Sequence, residues 1–264
     1  MSYFSVKNLS AGYNTKSVLQ NVCFDIEKNC LMGILGANGC GKTTLLKSIC
    51  GILPHKGTCL LENIPLEGLS SRDISKMCSY IPQRSGISID ISVLDVVLMG
   101  FNPSLKILEK PNKSMVQLAR EMISEVGLSE KENENYFHLS EGQKQLCILA
   151  RTLVTDSKLL LLDEPESSLD FSYRYQMLEI LRKWITSKNV SAITTLHDPS
   201  LALNYCDKLL LLSNGQVLGI IHPKTDSLDQ MEALLCNIYG SVNLQRCITK
   251  SGRSHLVMLK EDSL

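Results

Sequence analysis

An apolar run, Leu31–Leu35, leads straight into Gly36-Ala37-Asn38-Gly39-Cys40-Gly41-Lys42-Thr43, and a helical stretch follows from Lys42 to Cys50. Few folds accept a strand, a glycine-rich turn and a helix in that order, and the octapeptide fits the phosphate-loop pattern G-x-x-x-x-G-K-[ST]. Its glycines let the backbone fold tightly, so that N–H groups surround phosphate oxygens, and the helix N-terminus adds positive potential. Gly36, Ala37, Asn38, Gly39, Cys40 and Gly41 are therefore expected to cradle the phosphates of a nucleotide. Lys42 is expected to reach the β- and γ-phosphates, the Thr43 hydroxyl to ligate Mg²⁺, and Thr44 to line the site. The plain alternative is a glycine turn that only opens a helix.

A second motif sits far downstream. Lys158–Leu162 is a continuous apolar run, as expected for a strand buried on both faces, and it ends on Asp163-Glu164-Pro165. One carboxylate there can hold Mg²⁺ while the next faces the γ-phosphate and orients attacking water. Free glutamate titrates at ~4.3 and water at ~15.7, a gap that argues against full deprotonation before attack. Glu164 is expected to take the proton as the transition state develops. A helix-capping acidic pair is the competing reading.

Charge and composition narrow the class. The 264 residues carry 27 basic and 27 acidic side chains, so no strong field recruits nucleic acid or an anionic membrane. The N-terminus lacks a basic flank followed by an apolar stretch, and no apolar run approaches the ~18 residues of a spanning helix. A membrane role must come through a partner. The ten cysteines form no C-x-x-C pair, and there is no His cluster at metal spacing. They read as reduced thiols used as small apolar residues.

Periodicity orders the rest. Phe4–Val6 and Val22–Ile26 read as strands ahead of Leu31–Leu35, and Thr58–Leu61 and Cys78–Ile81 as strands after the first helix. Residues 84–138 carry helical periodicity and several breakers, which predicts an inserted helical segment. Ser92 with Asp95, and Ser140 with Gln143, have capping-box spacing. Asp170 is expected to cap a helix reaching Trp184. Val190–Leu196 is the next strand, Asp198-Pro199 a helix start, and Asn214-Gly215 a hairpin turn between Leu209–Leu212 and Gln216–Ile221. The tail after Ser241 has no assigned role.

Between these motifs lies Leu139-Ser140-Glu141-Gly142-Gln143. With the phosphate loop and the acidic strand end, it resembles the signature of the nucleotide-binding subunits of ABC transporters, and the resemblance spans almost the whole chain. The family's third signature position is usually glycine; here it is Glu141, which is expected to point outward. The resemblance implies an α/β fold: a P-loop NTPase core with a mixed sheet, an N-terminal antiparallel β subdomain and an inserted α-helical subdomain. It implies that Ser140, Gly142 and Gln143 meet ATP held by an opposing copy of the chain, that Tyr13 stacks on adenine, and that Gln83 touches Mg²⁺ and the attacking water. It further implies that His197 contacts the γ-phosphate, and that the loop Ser168-Leu169-Asp170 crosses between subunits. Cys40 and Gly100-Phe101-Asn102-Pro103-Ser104-Leu105 look like the ATPases of iron–siderophore, haem and cobalamin importers. Those often carry Arg and His where this chain has Phe101 and Ser104.

The implied assembly is a homodimer with ATP and Mg²⁺ at its interface. It would be held at the cytoplasmic face of the membrane by transmembrane permease subunits, and would serve an extracytoplasmic binding protein indirectly. Nucleic acid is not an expected partner. A P-loop small-molecule kinase explains Lys42 and Thr43 but not the pentapeptide, His197 or the Asp163–Glu164 pair. A non-transport relative acting in DNA repair or on ribosomes usually carries a long coiled coil, zinc-binding cysteines or a second cassette, and none is visible.

Overall fold

The computed structural model describes residues 2–83, 86–106, 108–167 and 169–261. Arg84, the first residue of the expected helical segment, and Ser168 lie outside the described residues. In chain order the elements are β1 (Phe4–Tyr13), β2 (Lys16–Ile26), β3 (Leu31–Leu35), α1 (Lys42–Ile49), β4 (His55–Leu61), β5 (Ile64–Pro65), α2 (Ser71–Met77) and β6 (Cys78–Ile81). Then come α3 (Val93–Leu98), α4 (Lys113–Glu125), α5 (Glu141–Leu153), β7 (Leu159–Leu162), α6 (Phe171–Lys188) and β8 (Ser191–Thr195). The chain closes with α7 (Pro199–Tyr205), β9 (Lys208–Ser213), β10 (Gln216–Ile221), α8 (Leu228–Tyr239), β11 (Val242–Ile248) and β12 (Ser254–Lys260). They fall into two compact units, Met1–Glu67 with Ser191–Leu264, and Gly68–Val190.

The first unit holds an antiparallel sheet in the order β2-β1-β4-β5 and a mixed set of strands in the order β10-β9-β3-β8. Strand β3 lies parallel to both β8 and β9, and every one of its residues is buried. That explains its uniformly apolar sequence, because a strand covered on both faces has no position for a polar side chain. The β9–β10 hairpin turns at Asn214-Gly215, both with positive φ, as the sequence predicts. The unassigned tail forms a β11–β12 hairpin. It is fastened to α7 by Asn204, whose side chain donates to Leu256 O at 2.7 Å and accepts from Leu256 N at 2.9 Å.

In the second unit β6 runs parallel to β7, with Ile81 opposite Leu162. Helices α3, α4 and α5 pack on one another around Val93, Val96, Ala119, Ile123 and Leu146, all buried. Short polar caps start each of them: Ser92 accepts from Asp95 N, Asn112 from Met115 N, and Ser140 from Gln143 N. Asp170 caps α6 through Tyr173 N, and that helix runs to Lys188, one turn past Trp184. Among the described residues no helix is long and apolar enough to cross a membrane.

One grouping is not visible in the sequence. His55, Cys59 and Glu67 meet, with their ligand atoms all within 4.8 Å of one another. Gly57, midway along β4, has φ 97°.

Candidate active site

Strand register positions the candidate residues within each unit. In the first unit Ile34 of β3 pairs with Thr195 of β8, and Leu196 N donates to Ile34 O at 3.2 Å. Two residues beyond that pair lie Gly36 and His197, so the phosphate loop and the histidine leave the same edge of two neighbouring parallel strands. The carboxyl edge of parallel strands is where α/β folds place ligands. Gly36 is buried, and a Cβ there would sit 2.2 Å from Leu212 O, which leaves glycine as the residue that fits. Ala37, Asn38 and Gly39 are exposed; Cys40 is buried.

Helix α1 begins at Lys42, its Gly41 N-cap provides no side-chain acceptor, and its first turn holds no acidic residue. The N–H groups of that turn are thus directed at the loop, as an anion site requires. Lys42 is only 5% exposed, and its ammonium donates to Gly36 O at 2.9 Å, which holds the charge inside the loop it serves. Thr43 is half-buried beside it and Thr44 is buried. Burial pushes the Cys40 thiol above its ordinary value, so it stays neutral despite the neighbouring Lys42. Tyr239 of α8 is a neighbour that carries no mark of its role in the sequence. Its phenol is pushed up to about 12 by burial, reinforced by Cys40 and Asp198. Tyr13 ends β1 with its ring 45% exposed, available for stacking. His197 is exposed, and the next residue, Asp198, caps α7 by accepting from Leu201 N at 3.0 Å.

The second unit repeats the geometry. Two residues past the Ile81–Leu162 pair lie Gln83 and Glu164, and Gln83 Nε2 donates to Glu164 Oε2 at 2.7 Å. Asp163 is 2% exposed; its N–H donates to Ile81 O at 2.9 Å, and its carboxylate accepts from the Tyr80 hydroxyl at 3.1 Å. Tyr80 is a partner that sequence reasoning passed over, since a strand tyrosine carries no local mark of the carboxylate it will meet. Glu164 adopts φ 49°, a left-handed conformation that costs a side-chain-bearing residue about 1 kcal/mol or more.

The pentapeptide opens α5 with a complete capping box. Ser140 Oγ accepts from Gln143 N at 3.3 Å, and Gln143 Oε1 accepts from Ser140 N at 3.1 Å. A hydroxyl that accepts the cap bond still has its proton to give, so capping and donation to a phosphate oxygen are compatible. Glu141 points outward, 67% exposed and 2.8 Å from Lys144 Nζ. Gly142 is buried, and a Cβ there would lie 2.7–3.0 Å from the Tyr173 ring. Asp170, exposed, spends one carboxylate oxygen on Tyr173 N at 3.0 Å.

Comparison with known proteins bears on the same features. Residues 19–167 match the family model described as ABC transporter. An uncharacterized ABC transporter ATP-binding protein of Methanocaldococcus jannaschii is 33% identical over 89% of this chain and 94% of its own length. The hemin import ATP-binding protein of Vibrio parahaemolyticus is 33% identical over 81% of this chain and 83% of its own. A solved metal-chelate type ABC transporter in an inward-facing conformation superposes with a TM-score of 0.83 at 27% identity, covering 99% of both chains. Phosphate loop, acidic strand end and signature helix thus occur in a chain that matches this family over most of its length, and the protein belongs to the ATP-binding subunits of ABC transporters.

Proposed function

We propose that the chain hydrolyses ATP to drive import of an iron–siderophore, haem or related metal-chelate substrate. It acts as a homodimer bound to permease subunits at the cytoplasmic face of the membrane, and through them serves an extracytoplasmic binding protein. The hemin-import relative and the metal-chelate type transporter support the substrate class. The observation that carries the chemistry is the 2.7 Å bond from Gln83 to Glu164 beside the buried Asp163. It supports reading Glu164 as an oriented base, with Asp163 beside it as an oxygen ligand.

The donors suit Mg²⁺, since the Thr43 hydroxyl, the Asp163 carboxylate and the Gln83 amide oxygen are all hard oxygen ligands. Bound there, the ion neutralises charge on the β- and γ-phosphates. Lys42 and the N–H groups of the loop hold the phosphates, and Tyr13 stacks on adenine. Glu164, held by Gln83, orients the attacking water and accepts its proton as the new P–O bond forms and the bond from the γ-phosphorus to the departing ADP breaks. His197 contacts the γ-phosphate. Ser140 and the Gly142 N–H, positioned by the Gln143 cap, complete the site on ATP held by the other copy, and Asp170 belongs to the loop that crosses the interface. Residues 84–138 form the inserted helical subdomain that carries the motion to the permease. Coupling follows because ATP favours the closed pair only through contacts it makes in that state alone.

Release of inorganic phosphate from Mg·ATP by the purified chain, with and without permease subunits of the proposed transporter, tests the proposal. Stimulation by the permease is expected. Transfer of the γ-phosphate to a small metabolite instead of water would overturn it in favour of a kinase.

A further inference from the structure

We propose that His55, Cys59 and Glu67 form a binding site for one borderline-soft divalent ion of the Zn²⁺ type, apart from the nucleotide machinery. Their ligand atoms lie within 4.8 Å of one another. His55 Nε2 is 3.8 Å from Cys59 Sγ and 3.0 Å from Glu67 Oε1. Imidazole, thiolate and carboxylate bound tetrahedrally at ~2.0–2.3 Å from one ion sit roughly 3.3–3.6 Å from each other, and the two separations from His55 lie within tenths of an ångström of that range. The set is mixed N, S and O, which selects zinc-like ions over Mg²⁺ or Ca²⁺.

The backbone is shaped for this meeting. In a regular strand, residues four apart are separated by about 13 Å, too far for a histidine and a cysteine to meet at one point. Strand β4 brings them together by bending at Gly57, φ 97°, where a Cβ would fall 2.5 Å from both Asn8 O and Lys7 O. The facing strand β1 breaks register between Lys7 and Ser10. After the Glu62–Asn63 turn, where both residues have positive φ, the chain folds back, and Leu66 N donates to Cys59 O at 2.9 Å. Glu67 therefore arrives beside Cys59.

An ordinary hydrogen-bonded pair explains only half of the arrangement. Glu67 Oε1 accepts from Cys59 N at 2.6 Å and meets His55, but Glu67 Oε2 is buried with no hydrogen-bond partner. A buried carboxylate oxygen left unpaired is costly, and a cation satisfies it. The Cys59 side chain is fully buried, His55 is 9% exposed and Glu67 31%, so three protein ligands are in place and the fourth position is left for water. An open cavity of about 470 Å³, lined among others by Ser10, Asn14, Pro54, His55 and Lys56, gives an ion access. Binding requires the Cys59 thiolate; the thiol proton goes to solvent and the ion–sulfur bond replaces it, so affinity falls as pH falls. Glu67 is the last residue of the N-terminal segment of its unit, and the ion would pin the chain there.

The test is titration of the reduced, full-length protein with Co²⁺, following the thiolate-to-cobalt charge-transfer band, then displacement by Zn²⁺. One Co²⁺ per chain is expected, with a rise in melting temperature. Cys59→Ala should abolish the band, and His55→Gln and Glu67→Gln should each weaken binding at least ~10-fold, the scale seen when a partner of a metal site is lost. Because Cys59 is buried, its variant is checked for folding by circular dichroism; the two partly exposed positions carry the test if it fails to fold. Absence of stoichiometric uptake overturns the proposal. So does a band that survives in the His55 and Glu67 variants, which would mean that other thiols, such as the exposed Cys23 and Cys247, hold the ion.

Discussion

Substitutions at Ser140 separate two duties of one hydroxyl. Its oxygen caps α5 by accepting from Gln143 N at 3.3 Å, while the Gln143 side chain returns the bond to Ser140 N at 3.1 Å. Ser140→Ala removes the acceptor, and an N-cap lost to alanine costs about 0.5–2 kcal/mol. Ser140 is exposed, so water takes over part of the bond and the lower half of that range applies. At about 2–4 °C per kcal/mol for a chain of this size, the melting temperature should fall by about 1–5 °C. Ser140→Asp keeps an acceptor of equal rank and adds negative charge at the positive end of the helix, so its melting temperature should equal or exceed the wild type. Turnover tells the two variants apart in the opposite sense. Donation of the hydroxyl proton to a charged phosphate oxygen is worth about 1.5–3 kcal/mol, which predicts a loss in kcat/KM of roughly 10- to 150-fold for alanine. Aspartate can donate nothing at neutral pH and repels the phosphate, so it should lose more activity while melting normally. Phosphate release and thermal melts on the same preparations decide the matter. A Ser140→Asp protein that both melts and hydrolyses like the wild type would refute the reasoning and reduce Ser140 to a helix cap.

Glu164→Gln should bind ATP with unchanged affinity, hydrolyse it at least ~100-fold more slowly as expected for loss of a general base, and accumulate as a dimer in size-exclusion chromatography with ATP. Normal turnover by that variant assigns the proton to another group. Tyr80→Phe removes one donor from the buried Asp163 carboxylate and should lower unfolding stability by about 1.5–3 kcal/mol in urea titrations; an unchanged midpoint would show the bond to be energetically idle. Cys40, buried and with its thiol pushed up, should be alkylated by iodoacetamide far more slowly at pH 7 than the exposed Cys23 and Cys247, as read by peptide mass spectrometry. Equal rates would mean that the phosphate loop opens readily.

What the sequence disclosed was mostly local. The strands Leu31–Leu35 and Cys78–Ile81 are found within their expected bounds. The helix starts at Ser92, Ser140, Asp170 and Asp198 were legible because a cap is written in three or four consecutive residues. The apolar pattern marks only Phe4–Val6 of strand β1. Asn8 interrupts it with φ 52°, and the register shifts beyond Val6 break the alternation on which such readings depend. The tail hairpin went unread because alternation lasts only from Val242 to Leu244 before β11 turns exposed and polar. In the site, the motif residues were legible singly, but Tyr80 on Asp163 and Tyr173 against Gly142 are products of packing with no local signal. The His55–Cys59–Glu67 meeting was hidden for the same reason, since it exists only through the bend at Gly57.

Among the described residues, seven of the ten non-glycine positions with positive φ are asparagine, the residue that tolerates this conformation best. Position 164 is not one of them. Selection on folding alone would favour asparagine or glycine there, and either would relax the backbone by roughly 1 kcal/mol while removing the carboxylate. With the role proposed above for Glu164, stability and turnover are opposed at this one residue. A laboratory lineage of this protein evolved only for heat resistance would tend to drift through position 164 into a sturdier, silent form, so any such programme needs turnover in its screen from the first round.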